Sequence, residues 1–295
     1  MDVISQLTMK NGLIDNTILS LYEEMNTGAL WLASENGLTR VSTHLSISQF
    51  GENEGISGSV NGIIRFSDQL YVGTSQGVSV FKGNDALDKS FIKLRLPISK
   101  IWDIDASTSR LIIAADEGLI LYRSGFLQFL DRMSSYSITP IPGIANNYVI
   151  GRKEGVFLLD VSNPNNPDLK NIDDSKNEVR SMTWDKKGRL WLGLRTSGTQ
   201  RVDFSEDYKS GKIVSFDTNN GLPDSWLDVS LIEDKVVFLS SDGIYTFNND
   251  TQGFNKLSSP KLKSNAKRAA MTFKRNAEEF WLSDSERRSY AFRRV

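Results

Sequence analysis

The chain has 295 residues, with 35 Lys and Arg against 36 Asp and Glu and a net charge of −1. Near neutrality removes the basic excess that binding along a phosphate backbone requires, so no nucleic-acid partner is expected. The absence of cysteine excludes disulfides, thiol nucleophiles and cysteine metal sites, and a single histidine, His44, cannot build a multi-histidine metal centre.

No apolar run reaches membrane-spanning length, and the opening MDVISQLTMK is not a signal peptide. The chain is expected to be soluble and to meet a membrane only through segments it does not contain. Its Lys- and Arg-richer stretch from Lys261 to Arg294 reads as a solvated edge.

Taken in order, the chain repeats one pattern. A short apolar strand recurs as LWLAS from Leu30, LYVGT from Leu70, LIIAA from Leu111, YVIGR from Tyr148, LWLGL from Leu190, VVFLS from Val236 and FWLSD from Phe280. Each is preceded by a first strand, such as ILSLYEE, GIIRFS or KIWDIDA, and followed by a third. A fourth follows in six cases, as in LSISQF and KIVSF. The turn after the second strand carries Gly37, Gly77, Gly118, Gly155 or Gly243 at one position. A two-residue hairpin there demands positive φ, which is cheap only without a Cβ.

Four short antiparallel strands per repeat of about 40 residues predict an all-β, seven-bladed β-propeller. The expected blade cores lie near 30–41, 70–81, 111–122, 148–159, 190–202, 236–247 and 280–292, all in one domain spanning 1–295. The last repeat lacks a fourth strand, and VISQLTMKNGL at the start has the pattern of one. Residues 3–8 are therefore expected to pair onto the last blade and hide its open edge. Trp31, Tyr71, Trp191 and Trp281 sit at the repeated core position and are read as packing residues between blades.

The stretch NGLIDNTILSLYEEMNTGALWLASENGLTRV, Asn11 to Val41, resembles the two-component regulator propeller repeat. A second copy is divided between DKKGRLWLGLRTSG and NNGLPDSWLDVSLIE. The resemblance implies a periplasmic or extracellular sensory propeller of a bacterial membrane-anchored protein, with a histidine kinase, hybrid regulator or cyclic-nucleotide synthase as output. It implies a non-catalytic domain with no cofactor, one that binds a carbohydrate, another small polar ligand or a protein partner, and that can form a homodimer.

The residues themselves leave alternatives. A propeller enzyme of the streptogramin-lyase type would need a histidine late in the chain, where none occurs, and a plain protein-interaction scaffold stays open. No catalytic or metal residue is assigned. The acidic run around Asp173 and Asp174 lacks the spacing of a calcium loop, and Asn249-Asp250-Thr251 fits a glycosylation sequon without further support.

Turns before first strands and between second and third strands should share one end of the blades. That places Asn16, Glu35, Trp102, Asp116, Arg152, Arg180, Arg195 and Trp226 together as candidate ligand-binding residues. Amides, acids, arginines and two tryptophans outside the repeated core position suit a ligand rich in hydroxyl groups.

Overall fold

A computed structural model describes residues 2–9, 12–24, 29–41, 48–82, 90–172, 176–232, 235–257, 270–274, 279–283 and 289–293. The strands form seven four-stranded sheets. Six are blades of four consecutive strands. The first strands of these blades are Ile18–Glu24, Val60–Phe66, Ile101–Ala106, Ser135–Pro140, Val179–Trp184 and Asp228–Ile232. The remaining sheet runs, in spatial order, Asp2–Leu7, Ser289–Arg293, Glu279–Ser283, Ala270–Lys274.

The expected count of seven blades is thereby corrected to six blades of four consecutive antiparallel strands. Among the described residues, the chain beyond Lys256 supplies three strands, and the fourth strand of that sheet comes from Asp2–Leu7. The composite sheet joins the two chain ends, and only its backbone pairing is described. Val3 pairs with Phe292, Ser5 with Ala291 and Gln6 with Tyr290, with one irregularity between Val3 and Ser5. The expected pairing of residues 3–8 with the last strands is thus present through Leu7. His44, Asp173, Asp174 and the side chain of Trp281 lie outside the described residues.

Contacts divide the chain into two compact units, one built mainly on Met1–Ser135 with Phe273–Ser283 and Arg287–Val295, the other on Tyr136–Thr272. Each has its own cores. In unit one, Trp31, Phe50, Ile56 and Phe91 pack between blades one and two, and Tyr71, Ile101, Ile104 and Tyr122 between blades two and three. In unit two, Val149, Val179 and Leu192 fill blades four to five, and Trp191, Phe216, Phe238 and Phe254 fill blades five to six. The repeated aromatics at positions 31, 71 and 191 are buried in these seams, the packing role expected of them.

Within each unit, a glycine near the end of a second strand brings two blades close, Gly73 in blade two and Gly151 and Gly193 in blades four and five. A Cβ on Gly73 would lie 2.7 Å from Ile101 Cγ2, and one on Gly151 would lie 2.9 Å from Val179 Cγ1. Real Cβ contacts do not approach that far, so the next blade's first strand seats in the missing methyl's place.

The hairpin glycines behave as their positions predict. Ala115 pairs with Gly118, whose φ is +137°, and a Cβ there would sit 2.2 Å from the carbonyl of Asp131. Among the described residues, no helix is long and apolar enough to cross a membrane.

Candidate functional site

In unit one the candidate residues gather around blades one and three. The side-chain oxygen of Asn16 accepts the N–H of Met9 at 2.6 Å. Beside it the buried carboxylate of Asp15 accepts the Thr17 N–H at 2.8 Å and the side-chain amide of Asn36. Asn36 shares a hairpin turn with Glu35, so that turn is tied to the loop bearing Asn16, while Glu35 itself stays exposed.

Blade three carries the richest chemistry. The indole N–H of Trp102 donates to Asp116 at 2.6 Å, and the ammonium of Lys100 lies 3.6 Å from the indole centroid. The Asp116 N–H donates to the carbonyl of Lys100 at 3.1 Å and its carbonyl accepts Ser134 Oγ at 2.9 Å, which fixes the hairpin against the first strand. Glu117 accepts the N–H of Ser99 at 2.9 Å. One aromatic plane therefore stands with an acceptor carboxylate and a donor ammonium at its edge and face, a combination suited to a hydroxylated or weakly charged ligand.

In unit two Arg180 and Arg195 converge on Glu178. Arg180 is ion-paired with that carboxylate, and its guanidinium lies 3.7 Å from the Tyr136 ring centroid. The exposed Arg195 reaches the same carboxylate at 3.8 Å, and its backbone N–H donates to the Glu178 carbonyl at 3.0 Å. Arg152 is placed differently. It is fully buried and stacks 4.5 Å over Phe157. Gly151 beside it faces Val179, so alternation along the strand turns Arg152 to the opposite side of its blade. Trp226 is half-buried in the turn before blade six's first strand, where the hydroxyls of Ser225 and Ser240 bond at 2.8 Å.

The structure thus joins Trp102 with Asp116, and Arg180 with Arg195, each pair within its own unit. Sequence reasoning missed Glu178 and Tyr136, the groups that hold Arg180. Their only signal was position, since both lie at or just before the start of a first strand. Among the described residues, no three His, Cys, Asp or Glu side chains converge as a metal site would need.

A second polar cluster closes the hairpin of blade six. Tyr245 Oη donates to Asp242 at 2.7 Å, and Lys256 Nζ reaches the same oxygen at 3.3 Å. Burial and the bond to Asp242 push the Tyr245 hydroxyl up to about 12, and although burial opposes it, the Asp242 carboxyl is held low by bonds from Tyr245, Ser240 and Lys256. A raised folded-state value means that the neutral phenol contributes stability fully below its unfolded value of about 10. That contribution is lost as pH climbs through the folded value. Tyr245→Phe is therefore expected to be less stable than the parent at pH 8 and to lose less stability between pH 10 and 12, read from urea midpoints across pH.

No family model and no curated protein match this chain. Solved structures do. The extracellular domain of the putative hybrid two-component system BT4673 from B. thetaiotaomicron aligns with a TM-score of 0.72 and 16% identity over 100% of this chain and 40% of that one. Virginiamycin B lyase from Staphylococcus aureus aligns with a TM-score of 0.72 and 11% identity over 99% of both chains. The WD40 propeller domain of Doa1 aligns at 0.68 and 10% identity. At such identities the likeness defines the fold, and the fold is a β-propeller. The chain spans 40% of that extracellular-domain chain.

Proposed function

We propose that this chain is a non-catalytic sensory propeller of a bacterial two-component-type signalling protein, lying outside the cytoplasmic membrane and binding a carbohydrate or other small polar ligand. The observation that carries the reading is the alignment of the whole chain with an extracellular domain of a hybrid two-component system. It is supported by the Trp102–Asp116–Lys100 group, whose aromatic plane and flanking hydrogen-bonding charges match what a polyhydroxylated ring offers. Binding would act by changing packing or dimer geometry in the larger protein, without chemistry on the ligand.

The test is a thermal-shift screen with neutral and acidic oligosaccharides, followed by calorimetry, since a ligand selective for the native state raises the midpoint. Trp102→Ala is expected to weaken the bound saccharide at least about tenfold, the loss typical of a binding hot spot. Arg195→Gln should weaken acidic ligands more than neutral ones. A chain that no saccharide shifts, but that captures a defined protein through the same residues, is a scaffold instead.

A second reading rests on the equal-length alignment with virginiamycin B lyase. It predicts product from quinupristin, the compound seen with the inactive lyase variant, detectable by mass spectrometry. Its absence at high enzyme concentration removes that reading.

A further inference from the structure

The first strands of blades one, two, three and five share one irregularity. The register with the second strand skips between Ile18 and Ser20, Val60 and Gly62, Ile101 and Asp103, and Val179 and Ser181. The skipped residues are Leu19, Asn61, Trp102 and Arg180, an aliphatic group, an amide, an indole and a guanidinium. The residues just before them, Ile18, Val60, Ile101 and Val179, are uniformly apolar and buried. In blade six the register with the second strand begins at Asp228 with Leu239, already past the place of the skip. A bulge frees one side chain from the alternation of the pleat and re-aims it. The repeat thus varies its chemistry where packing does not dictate it.

In unit one two of these positions are linked. The Asn61 side-chain amide donates to the carbonyl of Ile101 at 2.6 Å, and Ile101 immediately precedes Trp102. The carbonyl before that, of Lys100, is held by the Asp116 N–H. Both peptide groups leading into Trp102 are therefore anchored, one of them by a side chain of the neighbouring blade. The reach is short because Gly62 has no Cβ. One there would lie 2.8 Å from Ile104 Cγ2 and 3.2 Å from the Ile104 nitrogen.

We infer that Asn61 is a positioning residue for Trp102: by holding the Ile101 carbonyl it fixes the bulge that aims the indole at Asp116 and Lys100. A ligand stacking on that indole meets a plane already set, and the orientation entropy is lost on folding instead of on binding. The effect on ligand affinity rests on the binding reading proposed above, but the effect on the indole does not.

The two arms of the experiment separate these. The Trp102 contribution is isolated as the difference between each protein and its Trp102→Phe counterpart, in acrylamide quenching and in the indole N–H resonance. Asn61→Ala, and the isosteric Asn61→Asp, are expected to raise quenching of Trp102 and shift its N–H resonance. The ratio of aimed to released indole should fall about fivefold, the change that one lost hydrogen bond sets.

Cello-, xylo- and malto-oligosaccharides serve as binding probes. Any that binds the parent should bind Asn61→Ala more weakly, by up to about fivefold, since apparent affinity scales with the fraction of aimed indole. If Trp102 quenching and its N–H resonance are unchanged in a folded Asn61 variant, the positioning role is overturned. If they change while no saccharide binds the parent, the positioning role stands and the carbohydrate reading falls.

Discussion

Trp191→Ala is expected to destabilise unit two by about 4 kcal/mol, the cost of emptying a large aromatic site in a closed core. Trp191 is 1% exposed and lies within 5.4 Å of the Phe216, Phe238 and Phe247 ring centroids. Its indole N–H donates to Asp185 at 3.1 Å, and the same carboxylate oxygen takes Arg189 Nε at 2.6 Å. Burial alone would raise the Asp185 carboxyl, but N–H groups of Arg189, Trp191 and Lys187 outweigh it and hold the carboxyl low. A depressed folded value gives stability that is present above the unfolded value and lost as pH falls through the folded one. Trp191→Ala removes one of those donors, so the Asp185 carboxyl is less depressed in the variant, which should lose less stability than the parent between pH 7 and pH 4. Urea titrations at pH 7 and pH 4 measure both effects. Trp102→Ala is the control, expected to cost under about 1 kcal/mol because that indole is not part of a closed core. If the two alanine variants prove equally stable, Trp191 does not carry the seam between blades five and six.

The contrast between those two tryptophans shows how far the sequence could be read. Trp31, Tyr71 and Trp191 were legible because they recur at one position in strands of fixed spacing, and a side chain repeated that way has to face a repeated neighbour. The hairpin glycines were legible for the same reason. The starting strand was legible because a lone edge needs a partner. The side chains of the candidate site are set by contacts across strands and turns, such as Trp102 with Asp116 and Arg180 with Glu178, which the repeat spacing does not carry. Arg152 has the composition of a surface residue, yet it stacks on Phe157 inside a blade. Glu178 looks like one more loop acid until Arg180 and Arg195 meet on it. The bulges that release Asn61, Trp102 and Arg180 leave no mark in hydrophobic alternation, because a bulge is visible only against the partner strand. The count of seven blades is read from the spacing of the second strands, and the structure corrects it to six blades of four consecutive strands, because spacing does not show whether a repeat supplies all of its own strands.

Gly55→Ala is expected to cost about 3 kcal/mol or more, although the residue lies in a connecting turn between blades one and two. Gly55 ends a single turn of 3-10 helix, Glu52–Glu54, at φ +88°. Alanine in that left-handed conformation loses roughly 1–2 kcal/mol by itself. The added Cβ would also stand 1.9 Å from the Phe91 carbonyl oxygen, so the fourth strand of blade two must move and take Phe91 out of its core. The same construction recurs at Gly221 after Thr218–Asn220, where a Cβ would lie 2.7 Å from the Phe254 carbonyl. The turn glycine and the apolar residue after it, Gly55-Ile56 and Gly221-Leu222, are thus a seat for the next blade's fourth strand, with Ile56 or Leu222 entering the core behind it. Gly125 supplies the control, at φ +87° with nothing within 4 Å of its Cβ position. Gly125→Ala should lose only the conformational part, about 1–2 kcal/mol. A difference between the two variants, measured by chemical denaturation, isolates the close approach. Equal losses would mean that the Phe91 strand yields freely and that the turn glycine is chosen for its backbone angle alone.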